Sequence, residues 1–160
     1  MDKSQLQQQV LDRLADDLLQ TEQAARVAHE TATHEENIAE NKYDTLGLEA
    51  AYLATGQARR AEAIRQAMAA WRQFRPRPYD AHTGIQLGAL VCLVDADDRQ
   101  QHFFLGPDGG SMKLTVGDQL VQVISGEAPL AKAMLGKCEG DEVSIKGASH
   151  PQAFEVLRVL

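Results

Sequence analysis

No apolar run in this chain approaches the roughly 20 residues that a membrane-spanning helix needs, which excludes a helical membrane protein. Cysteine is nearly absent: Cys92 and Cys138 lie far apart, and neither has a companion at metal-ligand spacing. That excludes a disulfide scaffold or a zinc knuckle and fits a reducing compartment. Aromatic residues number only eight, and residues 81–160 hold Phe103, Phe104 and Phe154 without a tryptophan or tyrosine, too few for an aromatic-lined ligand pocket. Gly106-Pro107-Asp108-Gly109-Gly110 has no following Lys-Ser/Thr, so it reads as a hairpin turn rather than a phosphate loop. His29 and His34 are five residues apart, about 140° around a helix, and cannot chelate one ion from one face. The polar start Met1-Asp2-Lys3-Ser4-Gln5 opens no signal-peptide core. A soluble cytoplasmic protein with no membrane partner is expected.

What the chain does have is charge in blocks. Residues 1–49 carry eleven acidic and four basic side chains, whereas residues 50–79 carry Glu62 against Arg59, Arg60, Arg65, Arg72, Arg75 and Arg77. A net charge of −7 therefore hides a basic segment. Along the first block Leu11, Leu14, Leu18, Thr21, Ala25, Ala28 and Ala32 step by three and four, a coiled-coil rhythm, with Ser4 as the expected N-cap. Ala50, Leu53, Gln57, Ala61, Ile64, Met68 and Trp71 form a returning seam with one irregular step. The spacing predicts an antiparallel α-helical coiled-coil hairpin over 1–76, each helix about 45 Å long. Alanine dominates its distal seam, which leaves little apolar area for a second copy, so a monomer is expected. Pairing into a four-helix bundle is the alternative. Arg75-Pro76-Arg77-Pro78 ends the second helix.

At the turn of the hairpin lies Glu35-Glu36-Asn37-Ile38-Ala39-Glu40-Asn41-Lys42-Tyr43-Asp44. Glu36, Glu40 and Asp44 recur every four residues, so a helix would put three like charges on one face. A partner supplying positive charge, most simply a metal ion, relieves that repulsion. A solvated, helix-capping acidic turn is the plain alternative. Asn37 and Asn41 can orient by hydrogen bonds but cannot neutralise a cation.

Beyond residue 77 the pattern changes to short β-rich runs. Strands are expected over 85–94, 100–105, 120–125, 142–146 and 154–160, with a short helix over 129–135 opened by Pro129. The fold class is α+β: a helical hairpin, then a small domain at 77–160 with a mostly antiparallel sheet.

The run Ala128-Pro129-Leu130-Ala131-Lys132-Ala133-Met134-Leu135-Gly136-Lys137, followed by Gly140-Asp141-Glu142-Val143, resembles the signature of the Gre-type bacterial transcription elongation factors. Ala128 stands for a serine of that pattern and Met134 for a leucine. Phe154-Glu155-Val156-Leu157-Arg158-Val159-Leu160 is similar to the family's last strand. The resemblance implies an FKBP-like domain that docks on RNA polymerase, and a coiled-coil finger that enters its secondary channel. Glu40-Asn41 matches the Glu-Asn pair of the finger tip, and Asn37 stands where cleavage-stimulating members carry aspartate. Glu40 and then Glu36 become the ligands of a magnesium ion shared with the polymerase, with Asp44 as the third carboxylate; no cofactor of the chain's own is implied. Two activities stay open: channel occupancy that alters initiation or elongation, and stimulation of transcript cleavage by the polymerase. In neither is the chain itself an enzyme. Arg59 and Arg60 are the candidates for contact with the RNA 3′ end or the polymerase, while Arg65 is expected to offset Asp16 or Asp17. A stand-alone FKBP-type proline isomerase or chaperone is the rival from another class, and the aromatic deficit weighs against it.

Overall fold

The computed structural model describes residues 1–34, 45–108, 110–147 and 150–160. Two long helices come first, α1 at Lys3–Thr33 and α2 at Leu46–Gln73. Strands β1 (Leu90–Val94), β2 (Gln100–Gly106), β3 (Met112–Val116) and β4 (Gln119–Ser125) follow. A short helix α3 (Pro129–Met134) and strands β5 (Glu142–Lys146) and β6 (Pro151–Val159) complete the order. The α+β class with a helical hairpin and a mostly antiparallel sheet is the observed one. By contacts the chain divides into Leu11–Ala69 and a second unit made of Met1–Val10 with Ala70–Leu160.

In Leu11–Ala69 the helices pack through small residues. Leu14, Thr21 and Ala28 of α1 are buried, with Leu11, Leu18, Ala25 and Ala32 half-buried between them. On α2 the inward positions are Gly47, Ala50, Ala54, Gln57, Ala61, Ile64 and Met68, an unbroken alternation of three and four. The expected seam residue Leu53 is instead 57% exposed. Ala54 takes its place because helices closing on alanine and glycine leave no room for a leucine. Thr21, a buried polar residue, satisfies its hydroxyl by donating to Asp17 O at 2.7 Å.

The cap of α1 also differs from expectation. Asp2 Oδ1 accepts from the Ser4 amide at 2.9 Å, so Asp2, not Ser4, is the N-cap. Where α2 stops before Pro76, its last carbonyls are met by side chains. Gln7 Nε2 donates to Trp71 O at 2.6 Å and Phe74 O at 2.9 Å, and Arg75 Nη1 donates to Arg72 O at 2.7 Å.

The sheet runs β3-β4-β2-β1-β6-β5, with β2–β4 parallel and the other pairs antiparallel. Alternation along the strands gives it two faces. One carries Val91, Leu93, Phe103, Leu105, Val143 and Val156, closed by Ala131 and Met134 of α3 and by Ile85. On the other, Phe104 meets Trp71 at a centroid distance of 5.7 Å, and Trp71, Leu6 and Val10 are fully buried.

Three sequence expectations are corrected in this domain. The strand expected from 85 begins only at Leu90, because Gly88 adopts φ 93° and the Ala89 amide bonds to Gln86 O in a turn. β3 is an element the sequence reading did not include; its signal was the two-residue turn Gly117-Asp118, with Gly117 at φ 62°. The loop starting at Gly106 is no hairpin turn, since β2 and β3 do not pair. β4, with Val121, Val123 and Ile124 buried, takes the interior place beside β2, and β3, with Leu114 alone buried, becomes an edge.

Candidate functional site

The candidate carboxylates Glu36, Glu40 and Asp44, and with them Asn37 and Asn41, lie outside the described residues. What the structure gives is their approach. α1 runs to Thr33 and α2 starts at Leu46, so the segment joins two helix ends of one hairpin. At the start of α2, Thr45 Oγ1 donates to Glu49 Oε1 at 3.2 Å, and the Glu49 amide donates to Thr45 O at 2.9 Å. Among the described residues no group of three or more His, Cys, Asp or Glu could hold a metal ion.

The basic residues of α2 separate into two kinds. Arg65 Nη2 reaches Glu22 at 2.6 Å and its Nη1 reaches Glu62 at 3.2 Å, and hydrogen bonds to Glu22 and then Glu62 raise its pKa. Its partner is therefore Glu22, not Asp16 or Asp17; Asp17 lies 3.8 Å from Arg13, one turn away. Arg59 and Arg60 are both exposed and make no ion pair among the described residues. Their charge is available to a partner. His29 and His34 are exposed.

In the C-terminal domain the signature-like residues build backbone geometry. Pro129 sits in the first turn of α3, where its missing N–H costs nothing. Gly136 has φ 83° and donates its amide to Ile85 O at 2.8 Å, while Gly84 approaches so closely that a Cβ there would lie 2.5 Å from Gly136 O. Gly140 has φ 89°, and Asp141 Oδ2 accepts from the Cys138 amide at 2.8 Å, closing the turn into β5. These residues fix a loop–helix–loop surface, with Leu87 and Leu135 partly exposed upon it and Lys132 paired with Glu127 at 3.4 Å.

Two concavities were not legible in the sequence. A groove of about 660 Å³ runs between α1 and α2, lined by Gln23, Ala24, Val27, Leu46, Glu49 and Leu53 among others. The second, of about 570 Å³, lies on the sheet face beside Leu90, Cys92, Gln100, His102 and Arg158. Burial lowers the His102 pKa and raises that of the Cys92 thiol, which Arg158 partly offsets. His102 and Cys92 are cross-strand partners, visible only once β1 and β2 are in register.

Residues 80–160 match the family model of the transcription elongation factor GreA/GreB C-terminal domain. The chain belongs to that family. It is 36% identical over 78 residues to the transcription elongation factor GreA of Helicobacter hepaticus, covering 49% of this chain and 45% of that protein. With GreA of Hyphomonas neptunium the identity is 32% over 78 residues, 48% of this chain and 45% of the relative. The GreA/GreB-type chain thus spans a little under half the length of these curated relatives. A solved structure, the GreA factor homolog 1 (Gfh1) of Thermus thermophilus, aligns over 94% of each chain at 19% identity and a TM-score of 0.39.

Proposed function

We propose that this chain binds RNA polymerase and modulates transcription from the secondary channel. The C-terminal domain docks at the channel mouth, and the paired helices carry the acidic segment 35–44 toward the active centre. The observation that supports this reading is the family match over 80–160, joined to helices of 31 and 28 residues that flank that segment. The chain is not itself an enzyme in this reading; the polymerase does the chemistry.

Glu40 and Glu36 are the proposed ligands for a magnesium ion that belongs to the polymerase, with Asp44 as a further carboxylate. Magnesium keeps several waters and takes few protein ligands, so a visiting protein need offer only one or two oxygens. Asn37 and Asn41 orient the segment through hydrogen bonds. Arg59 and Arg60 contact the polymerase or the RNA 3′ end, which makes the affinity fall with salt. Asn37 brings no charge where cleavage-stimulating relatives of the family carry aspartate. The proposed outcome is therefore altered initiation or elongation without transcript cleavage. Glu40-Asn41, which matches the Glu-Asn pair of cleavage-stimulating tips, favours the second reading, stimulated cleavage.

The test is RNA cleavage in a stalled, backtracked polymerase complex, with Glu40→Ala beside the unaltered chain. Polymerase binding without stimulated cleavage is expected. Cleavage that Glu40→Ala abolishes replaces this reading by the second, and absence of polymerase binding overturns both.

A further inference from the structure

The second face of the sheet is closed at one end by Leu6, Val10 and Trp71 over Phe104, and beside them it stays open as the concavity of about 570 Å³. His102, Cys92 and Arg158 make a row across it, set side by side on β2, β1 and β6 by the register. Leu90, buried two residues along β1, continues the floor. A regular strand sends successive side chains to opposite faces, yet Leu157 and Arg158 both line this concavity. The register gives the reason: Cys92 pairs with Arg158 and Leu93 with Val156, so Leu157 is the extra residue of a β-bulge. It stands 48% exposed at the wall, a large apolar group that the core does not use.

Two side chains of opposite charge border the concavity without meeting. Arg158 and Glu139 both line it, and neither makes an ion pair among the described residues. Glu139 Oε1 accepts from the Val159 amide at 3.0 Å, which fixes the carboxylate beside the strand that carries Arg158. The other polar side chains there, Gln100, Gln119 and His102, are uncharged near neutral pH, since burial lowers the His102 pKa. Cys92 is floor rather than nucleophile: its thiol donates to Gln100 Oε1 at 3.8 Å, and burial raises its pKa. A cation and an anion held apart beside apolar side chains are the complement of a zwitterion with an uncharged side chain. We propose that this concavity binds a free α-amino acid with an apolar side chain, its carboxylate on the Arg158 guanidinium, its ammonium on Glu139 and its side chain over Leu90 and against Leu157. The planar fork of Arg158 suits a carboxylate, and the bulge supplies the apolar wall that a flat sheet face lacks.

The site uses neither the hairpin nor polymerase, so it can fail while the function proposed above stands, and the reverse. Amide NMR of the full chain, titrated with L-leucine, isocaproate and isoamylamine, reads it directly. The three share one side chain, and the last two lack the ammonium and the carboxylate in turn. Leucine is expected to shift the amides of Leu90, Cys92, His102 and Arg158 saturably, with roughly millimolar affinity for so small a ligand. Isocaproate and isoamylamine each bind at least about tenfold more weakly, as the loss of a charge-assisted contact requires. Arg158→Gln removes the advantage of leucine over isoamylamine. Glu139→Gln, which keeps an oxygen for the Val159 amide, removes its advantage over isocaproate. Each variant retains the emission of Trp71, so these selective losses are not folding defects. No saturable shift, equal affinity for the three compounds, or leucine binding indifferent to both charge changes overturns the proposal. So does isocaproate binding as tightly as leucine and lost in Arg158→Gln, which gives the concavity to a plain carboxylate instead.

Discussion

Gly106 has no left-handed backbone to explain it, yet a side chain there has no room. A Cβ built there would lie 2.1 Å from the Trp71 ring. Trp71 cannot give way: it is fully buried, its Nε1 donates to Asp108 O at 2.8 Å, and Phe74 and Phe104 hold its ring at centroid distances of 5.7 Å each. Overpacking of this kind costs roughly 1–3 kcal/mol or more, because displaced core side chains leave their rotamer wells. Gly106→Ala is therefore expected to lower the urea midpoint and to shift the fluorescence of Trp71, the one tryptophan of the chain. Gly110→Ala makes the contrast, since a Cβ there meets nothing within 4 Å, although its φ of 68° carries some strain of its own. An unaltered midpoint in Gly106→Ala means that Trp71 is not packed against β2 as described.

At the scale of the element, α1 depends on one cap. Asp2 accepts from the Ser4 amide and, as an anion at a helix start, also meets the positive end of the dipole. Asp2→Ala is expected to cost about 1 kcal/mol, while Ser4→Ala stays within a few tenths. Denaturation of the two variants side by side checks it; a larger loss in Ser4→Ala than in Asp2→Ala returns the cap to Ser4. The helix itself was legible in the sequence, but its capping residue was not. Both long helices and the end of α2 ahead of Pro76 followed from period and proline, and the last strand and α3 from short runs bounded by turns. The phase of α1 followed as well, and that of α2 failed at Leu53 alone, which looks like core where Ala54 does not; the close approach of Gly47, Ala50 and Ala54 decides that Ala54 faces in. The sheet order was equally hidden, since β3 and β4 compete for the place beside β2 by burial that only the assembled sheet defines. The candidate carboxylates rested on charge spacing and on the Glu40-Asn41 resemblance alone. Arg59 and Arg60 already stood apart in the sequence, and the contacts of Arg65 with Glu22 and of Arg75 with the carbonyl of Arg72 set them off from those two arginines.

For the whole molecule, the base of the hairpin belongs with the sheet. Met1–Val10 and Ala70–Leu160 form one compact unit, so a cut at the proline boundary runs through it. A fragment 77–160 lacks Leu6, Val10 and Trp71, all fully buried, and uncovers Phe104 and the Gly106 backbone on the second face of the sheet. Loss of a buried tryptophan alone is worth roughly 3–5 kcal/mol, a large share of the stability of a domain this size. The fragment is expected to unfold at markedly lower urea and to bind a hydrophobic dye that the full chain does not. A second variant, Met1–Val10 joined to Ala70–Leu160 by a short glycine–serine linker in place of Leu11–Ala69, keeps the cover. Gln7 Nε2 touches both Trp71 O and Phe74 O, so the ends to be joined are close and the linker costs little. It is expected to regain most of the midpoint and to keep the buried emission of Trp71, whereas equal stability of the two fragments would separate the helix base from the fold of the sheet.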